Sequence, residues 1–397
     1  MKWLFCAFAF SIPFILVLPA AQSQTAPPIL RPAQPANLNE QIRDNWKARV
    51  NENVTTIISG NPNGGYLGIA YDISAVVDDG DDIRVLPIIG KGAVQNLKDV
   101  LFLRGVDMGL VNTVTLSYFR KNGEFGTNLE EQVAYITMLF QDELHVLVRP
   151  EINSLQDLAG KRVNFSDKGS GAQLSSQEIF AALKIDVKEF NMGQGDAIEM
   201  MKRGELDATM CTCLKPLKPH QTVSADLGFK LIDVAYDPVF YDDYLPARIP
   251  HEDYPNLIPK GGVVSTISVP TLLIAYNWPK SHERYRRIEK FVNAFFSKFE
   301  EFGKPPRHPR WRSVNMAGKL PGWRRFPAAQ EWLDQHIGPQ KEPVVFNKKM
   351  RDAFDIFVTN YAKAAGLKVL PADKREALFA QFTTWWQTQS IPPGASQ

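Results

Sequence analysis

A glycine-rich turn between an apolar strand and a helix occurs three times in this chain, and it limits the folds that the chain can adopt. The first turn, SGNPNGGYLG at 59–68, separates VTTIIS from a helical pattern. GKG at 90–92 follows the apolar run IRVLPII, and GSG at 169–171 follows KRVNF. Strand, tight turn and helix in this order are typical of parallel strands that are joined by crossover helices.

The rest of the chain continues this alternation. Strands are predicted at 54–59, 83–89, 106–111, 134–140, 144–149, 161–165, 187–192, 206–211 and 229–234. Helices are predicted at 66–77, 93–104, 172–184, 195–203 and 283–302. The last helix carries apolar residues at helical spacing, which predicts a buried face rather than a functional one. The pattern therefore predicts an α/β fold, with mostly parallel sheets flanked by helices on both faces.

The glycine turns also carry a chemical expectation. Glycine lets main-chain N–H groups approach a ligand closely, and a helix N-terminus favours negative charge. If the three turns meet at the carboxyl edge of the sheet, they could hold a carboxylate, with Lys91 adding positive charge. Alternatively, each turn only satisfies a tight connection. Asn112, at the end of a strand, has the same two interpretations: it lines a cleft or it caps a turn.

Charge and composition exclude some partners. The chain has 397 residues, of which 44% are hydrophobic and 22% charged, so it is large enough for two or more globular domains. With 45 Lys and Arg against 43 Asp and Glu, the formal charge is only +2. Such a balance gives no overall field to attract nucleic acid, and no nucleic-acid partner is expected. No cofactor or metal is expected, and we expect a monomer.

The N-terminus is typical of an exported protein. A basic start and an apolar stretch precede the small residues Ala21 and Ser23, which predicts a signal peptide over 1–23 and, with it, export. An uncleaved membrane anchor is the alternative, because the apolar stretch approaches spanning length. Residues 24–52 are predicted to form a leader, which is rich in Pro and Ala up to about residue 38.

The cysteines raise the question of catalysis. Cys211 and Cys213 are predicted to be reduced and buried, because a disulfide across one intervening residue strains the bond. An enzyme could use one of them as a nucleophile with His145 or His220 as the base. The chain has no HExxH, GxSxG or complete phosphate-loop motif. The sequence therefore favours a protein that is not an enzyme.

Four segments occur in an order and spacing that resemble the solute-binding subunits of TRAP transporters, of the TAXI type. They are SGNPNGGYLGIAYDIS, GKGAVQNLKDVLFLRGVDMGLVNTVTLSYF, LHVLVRPEINSLQDLAGKRVNFSDKGSGAQLSSQEIFAAL and AIEMMKRGELDATMCTCLKP. The resemblance implies a two-lobed periplasmic-binding-protein fold, type II-like. Lobe 1 would comprise 53–143 and 246–337, and lobe 2 would comprise 144–245. A small, anionic organic solute, a carboxylate or an amino-acid-like molecule, would bind between the lobes in the periplasm and pass to a membrane permease.

The resemblance and the turn chemistry together give a set of candidate ligand-binding residues. They are Asn61, Gly64, Gly65, Tyr66, Gly92, Ala93, Asn96, Asn112, Thr113, Ser170, Gly171 and Thr212. Tyr66 would stack on the solute, or it would pack in the core under the first helix. The chain departs from the family pattern at Asn112, Thr113 and Val114, and at Ala172. It also departs at CTC (211–213), which replaces a stretch that is usually aromatic and glycine-rich.

The C-terminal residues 338–397 have no counterpart in the family pattern and are predicted to form a helical extension. Trp385 and Trp386 lie within it, and exposed adjacent tryptophans commonly anchor contacts. An alternative function follows, in which the chain is a sensor or interaction subunit that docks through this extension.

Overall fold

The structure is a computed structural model that describes residues 37–62, 64–80, 82–240, 242–337 and Val358. Its contacts divide the chain into two compact units, 1–46 and 47–397. Among the described residues, no helix has the length and apolarity needed to cross a bilayer. The predicted signal peptide lies outside the described residues, as does the predicted C-terminal extension apart from Val358.

The described strands form one sheet of eleven. They are β1 (Val54–Ile58), β2 (Arg84–Ile88), β3 (Met108–Asn112), β4 (Val133–Val148), β5 (Arg162–Asn164), β6 (Lys188–Phe190), β7 (Ala208–Cys213), β8 (Lys230–Leu231), β9 (Leu245–Pro250), β10 (Val263–Tyr276) and β11 (Arg324–Arg325). The main order is β2-β1-β3-β10-β4-β7-β5-β6.

The described residues also form ten α-helices. They are α1 (Leu38–Glu52), α2 (Gly65–Val77), α3 (Ala93–Phe102), α4 (Thr113–Asn122), α5 (Leu129–Gln132), α6 (Gly171–Leu183), α7 (Gln194–Lys202), α8 (Lys218–Gln221), α9 (Glu283–Ser297) and α10 (Pro327–His336). The predicted α/β class is thereby confirmed. Helix α1 begins inside the predicted leader, and none of its residues is buried.

Two parallel groups of strands make up most of the sheet. In the first group, β1 pairs in parallel with β2 and β3, and in the second, β5 pairs in parallel with β6 and β7. Between them run the two longest strands, β4 with 16 residues and β10 with 14, which pair antiparallel with each other. Strand β4 also pairs with β7, and β10 with β3. Two long strands therefore connect the groups.

Strand β4 corrects the sequence prediction. The sequence predicts two strands, at 134–140 and 144–149, with Gln141, Asp142 and Glu143 between them. In the structure these three residues pair with β10, opposite Pro270, Val269 and Ser268. Asp142 and Glu143 are almost fully buried, since side chains from elsewhere provide their hydrogen bonds.

The hydrophobic core forms around both strand groups. Helix α9 buries Ile288, Phe291, Val292, Phe295 and Phe296 against the first group, which confirms the predicted buried face, although the helix ends at Ser297 and a short 3-10 helix (Phe299–Gly303) follows. A separate cluster in the second group joins Leu147 and Ile198 to Tyr254 and Ile258.

The predicted lobe boundary at residue 246 differs from this packing. Strand β9 pairs with the first half of β10, at 263–268, and Tyr254 packs with the second group. The chain returns to the first group only where β10 pairs with β3, from Thr271 onward. The division into lobes remains a prediction, and the packing favours a return point within β10.

Two glycine substitutions should have opposite effects on stability. A Cβ at Gly109, in β3, would lie 2.9 Å from Val100 Cγ2, so Gly109→Ala should cost about 1–3 kcal/mol by overpacking. A Cβ at the exposed Gly68, in α2, would meet nothing within 4 Å, so Gly68→Ala should gain up to about 1 kcal/mol. Urea unfolding of both variants measures this. A Gly109→Ala protein as stable as the unmodified chain would contradict the close packing of α3 on β3.

Candidate functional site

A cavity of about 590 Å³ lies where the two strand groups meet, and the first residues of four helices and Asn112, the N-cap of a fifth, border it. Its lining is Gly60, Asn61, Gly64, Gly65, Tyr66, Lys91, Gly92, Ala93, Asn112, Ser166, Asp167, Ser170, Gly171, Ala172, Gln194, Cys211, Thr212, Cys213, Leu214 and Leu217. Helices α2, α3, α4, α6 and α7 each contribute their N-terminal end. The three glycine turns therefore meet at one cavity, as the sequence predicted.

These five helices differ in how their N-termini are capped. At α4, Thr115 N donates a hydrogen bond to Asn112 Oδ1 over 3.0 Å, and at α6, Gln173 N donates to Ser170 Oγ over 3.0 Å. Helices α2, α3 and α7 follow glycines and have no side-chain cap. First-turn amides that have no acceptor in the protein take water or a ligand instead. Three uncapped helix ends thus favour negative charge at this cavity.

Close contact between α3 and α6 explains why two of the turns need glycine. A Cβ at Gly171 would lie 2.8 Å from the Cβ of Ala93 and 2.8 Å from Asn112 Nδ2. Gly92 has a φ of 119°, which is strained for other residues. Across the same contact, Gln95 N donates to Gly169 O over 3.1 Å. The two strand groups therefore touch along one wall of the cavity through main-chain atoms.

Two charged side chains line the cavity. Lys91 lies in the second glycine turn, and Asp167 follows β5. Asn61 Nδ2 donates a hydrogen bond to Asp167 Oδ2, which links the first turn to the second strand group. Burial raises the pKa of Asp167, and the bond from Asn61 opposes that shift. Asp167 is not among the residues predicted from the sequence, although it stands two residues before the GSG turn.

Tyr66 connects the cavity to the long strands. Its hydroxyl donates to Asp142 Oδ2 over 2.6 Å, and Thr271 Oγ1 donates to the same oxygen over 2.7 Å. Burial raises the pKa of Asp142 to about 7, while the bonds from Tyr66 and Thr271 lower it. Tyr66 lines the cavity and also packs against the core. Its position is therefore compatible with contact to a solute and with packing under the first helix.

The structure places two predicted ligand residues away from this cavity. Asn96 is fully buried, and its Nδ2 donates to Leu110 O over 2.7 Å, because its side chain faces β3. Thr113 lines a different cavity of about 760 Å³, together with Arg120 and Trp323. Asn112 does line the first cavity, yet its Oδ1 is occupied as the cap of α4. The other ten candidates line the first cavity, and their role in ligand binding stays a prediction.

The cysteines correct another expectation. Cys211 and Cys213 are bonded to each other as a disulfide and line the cavity, whereas the sequence analysis expected two reduced thiols. Alternate residues of a strand point to the same side, which brings these two side chains together. Nearby, His145 and His220 are fully buried, and burial lowers the pKa of each. Neither sulfur in this structure is a free nucleophile.

Comparison with known proteins identifies a matching family. The model of a family described as NMT1-like matches residues 57–287, more than half of the chain.

Solved structures with partial similarity include MatC from Rhodopseudomonas palustris with bound malate, at 16% identity, covering 71% of this chain and 96% of MatC with a TM-score of 0.44. Another is described as a periplasmic transporter, at 13% identity, 72% and 94% coverage and a TM-score of 0.44. A third is a putative periplasmic sulfonate-binding protein, SsuA, from Methylobacillus flagellatus, at 13% identity, 87% and 98% coverage and a TM-score of 0.39. Because these TM-scores are below 0.5, the three structures carry no argument about the fold. The α/β assignment rests on the chain's own sheet and helices.

Asp142 should make stability depend on pH. Its pKa is about 7 when folded and about 3.9 when unfolded, so between these values the folded state holds a proton that the unfolded state releases. Stability therefore falls as pH rises through this window. As pH rises through this window, the unfolding free energy of the unmodified protein should fall by about 1.4 kcal/mol per pH unit relative to that of Asp142→Asn. Urea unfolding from pH 4.5 to 8 measures this, with exposed Asp186→Asn as the control for loss of a carboxylate. Parallel curves for the unmodified protein and Asp142→Asn would contradict the prediction.

Proposed function

The chain belongs to the NMT1-like family, and from this premise we propose that it is an exported solute-binding protein without enzymatic activity. It captures a small anionic organic solute between two lobes and delivers it to a TRAP-type membrane permease. The observation that carries the proposal is the convergence of five helix N-termini, three of them uncapped, on one cavity. The TAXI type, the periplasmic location and the monomeric state are parts of the same proposal and rest on the sequence resemblance.

The sheet supports a hinged mechanism. The groups β2-β1-β3 and β7-β5-β6 serve as the two lobes, and β4 and β10 connect them. A solute that contacts both lobes binds the closed arrangement best, so it shifts the population toward closure. Contacts of Gly171 with Ala93 and of Asn61 with Asp167 belong to that closed arrangement.

The chemistry of the cavity favours one class of solute. Uncapped amides of α2, α3 and α7 and the ammonium group of Lys91 suit a carboxylate. Asp167 suits a positively charged group of the same solute. This pairing favours an amino-acid-like solute over a simple carboxylate.

The two alternatives have less support. An enzyme with Cys211 or Cys213 as nucleophile would need a free thiolate, and the two sulfurs are bonded to each other. A sensor or interaction subunit would dock through 338–397, which lies outside the described residues except for Val358. A truncation at residue 337 separates the sensor alternative from transport, because it would abolish partner binding while solute binding persists.

Solute binding should raise the unfolding temperature. A solute at a hundred times its Kd adds about 2.7 kcal/mol to the folded state. Thermal unfolding of the full chain against millimolar α-amino acids and simple carboxylates tests this, and we expect one amino-acid class to stabilise it. Asp167→Asn should weaken that class and spare the carboxylates. No stabilisation by any member of either class would overturn the proposal.

Gly171→Ala should weaken solute affinity by at least about tenfold without unfolding the protein. The added Cβ would lie 2.8 Å from Ala93 only when the lobes are closed, so it penalises closure rather than either lobe alone. Calorimetric titration with the stabilising solute measures the loss, and small-angle scattering reports whether closure is impaired. Gly68→Ala, in α2 with nothing within 4 Å of its Cβ, is the matched control. Unchanged affinity in Gly171→Ala would show that this contact is not part of closure.

A further inference from the structure

Three side chains that commonly ligate metals lie together on one face of the sheet. Strands β4 and β7 pair so that His145 is opposite Cys211. Cys213 follows two residues later on β7 and therefore points to the same side. One ligand atom from each of the three lies within 4.8 Å of the others.

This cluster borders the cavity. His145 and Cys211 are buried, at 0% and 1% exposure, and Cys213 is partly exposed. Both cysteines line the cavity wall. An ion held by the three side chains would be enclosed by protein on the His145 side and would face the cavity on the other, where a fourth ligand could enter.

The imidazole ring of His145 has a polar neighbour at each nitrogen. Its Nδ1 lies 2.8 Å from Glu143 O, and a metal on this nitrogen would replace that hydrogen bond. Its Nδ1 lies 3.4 Å from Cys213 Sγ, and its Nε2 lies 2.8 Å from the hydroxyl of Tyr254. That hydroxyl also accepts a bond from Leu217 N over 2.7 Å. A partner on the second ring nitrogen fixes the orientation of metal-bound histidines in the same way.

We propose that Cys211, Cys213 and His145, once the disulfide is reduced, bind one thiophilic cation, Zn²⁺ or Cu⁺. A dithiol reductant supplies two electrons and two protons, becoming a disulfide itself, and leaves two protein thiols. Metal binding then releases both thiol protons to solvent. Two thiolates and one imidazole form a ligand set that suits these two ions. This inference goes beyond solute binding and does not rest on it.

Metal titration of the full chain tests the proposal. The protein is reduced with a phosphine under anaerobic conditions, desalted and titrated with Zn²⁺ in competition with a chromogenic chelator, and with Cu⁺ against a Cu⁺-specific chelator. We expect one ion per reduced chain and none in the oxidised chain. Cys213→Ser and His145→Asn should each weaken binding by at least about tenfold. His336→Asn, on the exposed end of α10, is the control and should bind as the unmodified protein does.

Two results would overturn the proposal. One is that the reduced chain binds neither ion more tightly than a Cys211→Ser, Cys213→Ser double variant. The other does not depend on whether the variants fold, because it uses the reduced, unmodified chain. If Co²⁺ binds that chain without thiolate-to-cobalt charge-transfer absorption, the ion lies elsewhere.

Discussion

Burial of two adjacent carboxylates in the longest strand is the constraint on which the rest of the structure depends. A charged carboxylate taken out of water must be protonated or paired, and Asp142 and Glu143 meet this requirement with partners from four other parts of the chain. Tyr66 and Thr271 bond to Asp142. Arg310 Nη2 lies 2.9 Å from Glu143 Oε1, and Lys215 Nζ lies 3.9 Å from the same oxygen. These contacts hold the middle of β4 in place, with one strand group on each side of it.

Local pattern was enough to predict the parallel strands and the helices that follow them, because apolar runs and glycine turns are properties of short segments. Elements that depend on distant partners were missed. Strand β10 contains Pro270 and several Ser and Thr residues, and it exists because β3, β4 and β9 all pair with it. Helix α4 follows β3 without any glycine, since Asn112 alone ends the strand and caps the helix.

The site was predictable to the extent that turn chemistry determines it. The first two glycine turns follow the parallel strands β1 and β2 and therefore lie on one sheet edge. The GSG turn follows β5, which runs antiparallel to β1 because three antiparallel pairings separate them, so its meeting with the other two turns depends on how the two strand groups face each other. The direction of single side chains does not follow from topology. Asn96 lies one turn beyond Gly92 and faces β3, and Asp167 reaches the cavity only because of the loop conformation after β5. Pairing of β4 with β7 brings His145 to the cysteines, and sequence spacing carries no trace of that register.

Asn112 and Thr113 are neighbours in sequence but line different cavities, one of about 590 Å³ and one of about 760 Å³. A single peptide unit is therefore the partition between two voids on either side of the start of α4. Because packed protein interiors transmit displacement rather than absorb it, a shift of this helix end changes the walls of both cavities at once.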